Sequence, residues 1–274
     1  MKLGLIGEVL GHSLSPVIHE EIFRKLGIHG TYTLIEIPRE RLAGKMAELL
    51  AAMDGFNVTI PYKTAVIPFL ESLSPEAAAI GAVNTVAAGA DGKSRGYNTD
   101  YLGFSRTLDQ IGADPAGKEA VLLGTGGAAR ALLQCLYDRG ARQILAVSRH
   151  PERTDPSFAA FAAERHGSIV SYADIEKGNG AYLLVNATPC GMFPKTDASP
   201  LSDEAAQRFP KVVDIIYNPK ETRLLAAARR GGADTANGMY MLAAQAAAAE
   251  EIWLSRAVPA ALTGEIVKKL EDAL

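Results

Sequence analysis

The stretch EAVLLGTGGAARALLQCLYDRGARQILAVSRH, residues 119–150, decides the fold class. It reads as a short apolar strand, a glycine-rich turn, a helix and a second strand, the unit that builds parallel sheets with helical crossovers. Within it Gly124, Thr125, Gly126, Gly127, Ala128 and Ala129 fit the pattern G-x-G-x-x-A, directly after AVLL and directly before the helix. Gly124 permits a tight turn, Gly126 lets backbone approach a pyrophosphate, and small Ala129 lets helix and strand pack closely. The helix N-terminus then faces the phosphates. Such glycines also suit an ordinary strand-to-helix turn; the strand-helix-strand context is what favours a dinucleotide.

The end of the second strand selects the dinucleotide. An NAD enzyme places Asp or Glu there, about 20 residues past the turn, to hold the ribose 2′-hydroxyl. ILAVSRH offers no acid: Ser148 and Arg149 occupy the place, Arg149 standing 25 residues after Gly124, and Arg153 follows. Two guanidinium groups suit a 2′-phosphate, so NADP is expected over NAD. A solvated basic loop is the competing reading.

Downstream the alternation continues through FAAFAAERHG, SIVSYAD, AYLLVNAT, VVDIIY and TRLLAAARRGG, which predicts a parallel sheet with helices on both faces. Residues 238–274 are purely helical in pattern, and the Ala-rich LAAQAAAAEEIW reads as a packed helix. Upstream, KLGLIG, PVIHEEIFRKLG, YTLIEI, RERLAGKMAELLAAM and GFNVTI repeat the strand-helix rhythm. AVNTVAAGADGKSRGYNTD then reads as two strands around the turn pair Asp91-Gly92. A helix begins near Asp100, ahead of the break GADPAGK, and the domain boundary falls in this region. The expected organisation is α/β throughout: a mostly parallel α/β domain over 1–103, a Rossmann-type domain over 104–237, and helices over 238–274 that return to the first domain.

A chain of 274 residues with 48% apolar content is ample for two cores. Lys and Arg total 28 against 31 Asp and Glu, and a net charge of -3 gives no sequence-wide attraction to nucleic acid or anionic membrane. An anionic ligand must be met by local charge. Cys135 and Cys190 stand far apart in no CxxC spacing, which argues against a disulfide framework or structural zinc and fits a reducing cytoplasm. No signal peptide or membrane span is expected.

Polar residues in the first domain are candidates for chemistry. Pro61 suits a first helical position, which would put Lys63 in the first turn of a helix KTAVIPFLESL. There the helix dipole opposes protonation and eases proton exchange, a useful property in a general acid/base. A surface lysine is the bland alternative. Asp100 precedes an amphipathic helix, where an N-cap role competes with a catalytic one. Asn84 and Thr85 interrupt an apolar strand and would need partners if buried. His12, Ser13 and Ser15 follow the first strand, where ligands of open α/β sheets bind, although a Ser-rich cap before Pro16 explains them equally well.

Eight motifs, GHSLSP, FNVTIPYK, GAVNT, GYNTD, GTGGAARA, NATPCGM, DIIYNPKET and NGMYMLAAQ, run in this order along nearly the whole chain. Together they resemble the shikimate dehydrogenase family. The resemblance implies an N-terminal substrate domain, an NADP-binding Rossmann domain, and the reversible reduction of 3-dehydroshikimate to shikimate in the chorismate pathway to aromatic amino acids. It implies Lys63 and Asp100 as the catalytic pair, with no metal required. Ser13, Ser15 and Tyr217 would hold the substrate carboxylate, and Thr59, Asn84 and Gln245 its ring hydroxyls. Asn186, Thr188 and Met192 would pass near the cofactor, with Gly238 near the nicotinamide. The chain departs from an Asn-Arg-Thr stretch common in the family, carrying Ser148-Arg149-His150, which leaves some use of NAD open. A quinate/shikimate dehydrogenase using NAD and a non-catalytic NADP-binding regulator are the alternatives. The sequence leaves oligomeric state open, with a homodimer among the options.

Overall fold

The structure is a computed structural model that describes residues 1–11, 13–89 and 92–272. His12 and Asp91, both singled out above, lie outside the described residues. The chain divides into two compact units. The first joins Met1–Gly103 to Ala243–Lys268, and the second comprises Phe104–Leu242 with the residues from Lys269.

The first unit holds a mixed sheet of β1 (Lys2–Gly7), β2 (Thr31–Glu36), β3 (Gly55–Val58), β4 (Ser72–Leu73), β5 (Thr85–Ala88) and β6 (Ser94–Tyr97). Its order is β2-β1-β3-β5-β6-β4. β1 is parallel to both β2 and β3, while β5 runs antiparallel between β3 and β6. Side-chain alternation along β1 feeds two cores. Ile6 packs with Met46, Phe56, Val58 and Val86 on one face. Leu3 and Leu5 pack with Phe23, Tyr32 and Trp253 on the other. Trp253 comes from the helix Gly238–Leu254, and its indole N–H donates to the carbonyl of Val86 at 2.9 Å. Gly55 makes that possible, because a Cβ there would sit 2.1 Å from Trp253 Nε1.

The second unit holds β7 (Glu119–Leu123), β8 (Gln143–Ser148), β9 (Gly167–Ser171), β10 (Leu183–Asn186), β11 (Lys211–Asp214) and β12 (Asp234–Ala236). All pair in parallel in the order β12-β11-β10-β7-β8-β9. In chain order this is 3-2-1-4-5-6, the doubly wound dinucleotide-binding arrangement, with its switch point between β7 and β10. The strands carry near-continuous apolar runs, such as Val121–Leu123 and Leu183–Val185, because helices cover both faces. Among the described residues no helix is long and apolar enough to cross a membrane.

One expected element is absent. KTAVIPFLESL is not an α-helix: turns run to Val66, a 3-10 turn spans Ile67–Phe69, and Ser72–Leu73 forms β4. Pro68 explains this, since in an α-helix its ring clashes with the preceding turn and it lacks the N–H that the turn needs. Lys63 therefore stands on a turn, and a helix dipole has no part in its chemistry. β4 and β12 are too short to leave a periodic signal.

Gly55→Ala is expected to displace Trp253 and break its bond to Val86. The cost should be about 1–3 kcal/mol, the range for overpacking a closed site, read as a lower urea midpoint. An unchanged midpoint would show that the tryptophan seat is not tight.

Candidate functional site

The first unit gathers its polar candidates along one sheet edge. β1 and β3 end there, β5 begins there, and β6 ends there, with β2 and β3 on opposite sides of β1. Ligands of open α/β sheets bind outside such strand ends, at the point where the order reverses. Ser13 and Ser15 follow β1, Thr59 and Lys63 follow β3, Asn84 precedes β5, and Asp100 follows β6.

Lys63 Nζ donates to Asp100 Oδ2 at 2.6 Å, and the two side chains remain 25% and 18% exposed. Local structure holds both ends. Buried Tyr62 and Val66 flank the lysine in the turn, the Tyr62 hydroxyl donates to the carbonyl of Ile37, and Val83 N–H donates to the carbonyl of Lys63 at 2.7 Å. Asp100 does not cap the helix Thr99–Gln110. Asn98 supplies that bond instead, accepting from Tyr101 N–H at 3.2 Å, which leaves Asp100 in the first turn, where a carboxylate is favoured, and paired with Lys63.

Asn84 and Thr85 are buried and fully engaged on their inner side. Asn84 Oδ1 accepts from Thr99 N–H at 2.6 Å and from the Thr85 and Thr99 hydroxyls at 3.1 Å each. A backbone N–H can only donate, so the amide oxygen is turned inward and the Nδ2 donor is the end offered outward. The same Thr99 hydroxyl lies 3.3 Å from Gln245 Oε1, its one proton shared between the two amide oxygens. Asn57 extends the network, donating to Thr85 Oγ1 at 3.0 Å and accepting from the Tyr32 hydroxyl at 2.7 Å. Thr99, Asn57 and Tyr32 were not singled out as site residues, because only tertiary pairing marks them. At the β1 end Ser13 Oγ accepts from Ser15 N–H at 3.2 Å. The helix Ser15–Leu26 has no side-chain cap, so the cap reading of these serines does not hold.

The second unit contains a pocket of about 930 Å³ at its switch point. Gly124, Thr125 and Gly126 line one wall, Ser148, Arg149 and Arg153 another, and Thr188 and Cys190 a third. Gly124 has φ +101°, and a Cβ on it would meet Thr188 at 2.9 Å. At Gly126 and Gly127 a Cβ would meet open space, so their bare backbone is available to a ligand. The helix Ala129–Asp138 begins beside them, with Ala128 at its N-cap, no capping side chain and no acid in its first turn. Its first N–H groups suit a phosphate.

The rim at β8 is basic but not purely so. Glu152 lies 3.6 Å from His150 and 3.9 Å from Arg153, an acid just beyond the position read from the sequence. Asp155 also lines the pocket, yet its carboxylate is held below the usual range by Ser157 and by the N–H groups of Phe158 and Ser157, which it caps. Tyr172 and Thr154 complete this end, without any signal in the sequence that marked them.

Asn186 does not line the pocket. Fully buried at the end of β10, it accepts from Thr188 N–H at 3.0 Å and Thr188 Oγ1 at 2.7 Å and donates to Asp214 Oδ1 at 3.0 Å. Its amide shapes the turn that presents Thr188. Burial pushes Asp214 up to about 6, against the opposing bonds from Thr222, Ile216 N–H and Asn186. Met192 is 46% exposed beyond this turn. Tyr217 follows β11, half-buried, and belongs to the second unit, whereas Ser13 and Ser15 belong to the first. Gly238 has no room for a side chain, since a Cβ would lie 1.9 Å from the Ile215 carbonyl oxygen.

Known proteins bear on the same residues. A family model described as the shikimate dehydrogenase substrate binding domain matches residues 5–86. The shikimate dehydrogenase (NADP(+)) of Clostridium perfringens (strain 13 / Type A) is 42% identical over 274 residues, 99% of each chain. A chorismate mutase/shikimate 5-dehydrogenase fusion protein from Clostridium acetobutylicum superposes with a TM-score of 0.92 at 41% identity, covering 99% of this chain and 97% of that one. The shikimate 5-dehydrogenase of Thermus thermophilus, solved in complex with NADP(H) and shikimate, gives 0.85 at 35% identity, covering 98% and 99%.

The raised Asp214 has a thermodynamic signature. An ordinary aspartate titrates near ~3.9, so between about pH 4 and 6 the folded chain holds a proton that the unfolded chain has released. Stability from this group therefore falls as pH rises through that window, by an amount on the order of 3 kcal/mol. Asp214→Asn removes the titration. The unfolding free energy of Asp214→Asn relative to the parent should rise between pH 4 and 7; a difference flat with pH would refute the assignment.

Proposed function

The chain belongs to the shikimate dehydrogenase family, and from that premise we propose that it is an NADP-dependent shikimate dehydrogenase. It interconverts 3-dehydroshikimate and shikimate on the chorismate route to the aromatic amino acids. The observation that carries the reading is the 2.6 Å Lys63–Asp100 pair at the ligand end of the first sheet, partly open to solvent. A carbonyl oxygen placed before that ammonium meets a donor that both stabilises developing negative charge and yields a proton.

NADPH, when bound, supplies the hydride for the C3 carbonyl carbon of the substrate. The glycine turn and the helix from Ala129 hold its pyrophosphate, and Ser148, Arg149 and Arg153 meet its 2′-phosphate. Lys63 donates to the C3 oxygen as the alcohol forms and recovers a proton by exchange with solvent. Asp100 holds the lysine in place. Asn84 offers an N–H donor to a ring hydroxyl, while Gln245 offers its amide and Thr59 a hydroxyl. Ser13, Ser15 and Tyr217 orient the carboxylate through neutral donors. The cytoplasm suits this chemistry, as do two free thiols, of which Cys135 is pushed up to about 12 by burial and stays protonated.

Steady-state rates with shikimate and with quinate, each with NADP and with NAD, test the reading: shikimate with NADP should be the preferred pair, and no turnover of shikimate would overturn it. Lys63→Ala should lose ~10² to 10⁴ in kcat with NADPH affinity near the parent's. A kcat within a fewfold of the parent at saturating substrate would remove Lys63 from the chemistry. Arg149→Ala should raise KM for NADP far more than KM for NAD, a charge-assisted contact contributing ~1.5–3 kcal/mol. An unchanged NADP to NAD ratio would move the 2′-phosphate contact elsewhere.

A further inference from the structure

His19 and Glu250 form a buried hydrogen-bonding contact that the chemistry above does not use. His19 Nδ1 and Glu250 Oε1 lie 2.6 Å apart, and both side chains are fully buried. Among the described residues, His19 Nε2 and Glu250 Oε2 have no hydrogen-bond partner. The imidazole stacks on Tyr32 with centroids 4.0 Å apart and planes within 7°, and the Trp253 ring lies tilted beside it at 5.6 Å.

Such a pair is a poor way to stabilise a core. Two polar groups lose their hydration for one shared bond, and apolar residues of similar volume commonly stabilise as well or better. What a buried polar pair supplies and an apolar one does not is direction, because the bond forms in one register only. Here it joins two particular helices. His19 lies four residues after Ser15 on the helix Ser15–Leu26, so the two share a face. Glu250 lies five residues after Gln245 on the helix Gly238–Leu254. A slide of one helix along the other would move the serine hydroxyl relative to the glutamine amide.

We propose that His19 and Glu250 are a positioning pair that sets the distance between the carboxylate-binding and hydroxyl-binding ends of the substrate site. The inference rests on the reading of Ser15 and Gln245 as substrate contacts. Its second route of action is the Tyr32 ring beneath His19, whose hydroxyl bonds Asn57 and through it Thr85 and Thr99. Misplacement by less than an ångström at either end weakens a bidentate hold on a rigid ring, so the effect falls on substrate affinity and leaves the cofactor untouched.

Glu250→Leu removes the bond and keeps the volume, and Glu250→Gln keeps a bond to Nδ1. The Leu variant should raise KM for shikimate about tenfold, with KM for NADP unchanged, and the Gln variant should recover most of the loss. Equal shikimate KM in the parent and the Leu variant, within twofold, would overturn the proposal, as would a parallel rise in both KM values. Should Glu250→Leu fail to fold, His19→Phe/Glu250→Leu removes the stranded imidazole and is read in the same way; if neither folds, the pair is a requirement of the fold and the proposal fails. Ser15→Ala and Gln245→Ala separate the two readings. If neither raises KM for shikimate, the substrate assignment fails and the clamp falls with it; if both do while Glu250→Leu does not, the clamp alone fails.

Discussion

The hydrogen bond from Thr99 N–H to Asn84 Oδ1, 2.6 Å long, is the contact on which the polar edge of the first unit depends. It fixes the outward end of the Asn84 amide, because a main-chain N–H can only donate. It also pins the start of the helix that carries Asp100, and so the partner of Lys63. A side-chain amide has two ends that differ only in whether they give or take a hydrogen, and a main-chain donor removes the choice. The edge therefore offers donors from Asn84 and Lys63 and acceptors from Asp100, a pattern suited to a polyhydroxylated ring bearing a carbonyl.

The second unit solves the complementary task with backbone. Gly126 and Gly127 leave bare backbone beside the uncapped first N–H groups of the helix from Ala129. At the exposed end of β8 side chains take over, with Ser148, Arg149 and Arg153 lining the pocket. Asn186 and Asp214 stand behind this wall, buried at adjacent strand ends, and hold the turn that brings Thr188 against Gly124. The steric fit between Gly124 and Thr188 is thus set from two strands at once.

Much of this was legible in the sequence, for identifiable reasons. Apolar runs buried on both faces of a parallel sheet announce themselves, as AVLL and AYLLV do, and the glycine turn is marked by its flanks. Pro68 was as visible as Pro61, yet the apolar spacing of KTAVIPFLESL outweighed it, and the helix so predicted is turns and a short strand. Short strands such as Ser72–Leu73 and Asp234–Ala236 carry too few residues for a period to show. Polar partners were the least accessible. Asn57 and Thr85 are far from Tyr32 in the chain; the β3–β5 register pairs the first two, and the order β2-β1-β3 brings Tyr32 to them. His19 sits in an amphipathic helix that reads as complete without it, and Glu250 in an alanine-rich one, so nothing local couples the two.

The contact between His19 and Glu250 spans 231 residues, and that between Trp253 and Val86 spans 167. Every strand of the second unit is encoded between them, from Glu119 to Ala236. During synthesis, then, the second unit has its whole sheet available while the first still lacks the helix that closes one of its cores. Contacts of such long range are the slow ones to form, because a large loop must close before they contribute. The ribosome thus delivers the whole sheet of the second unit before the helix that carries Glu250 and Trp253 can close the core of the first.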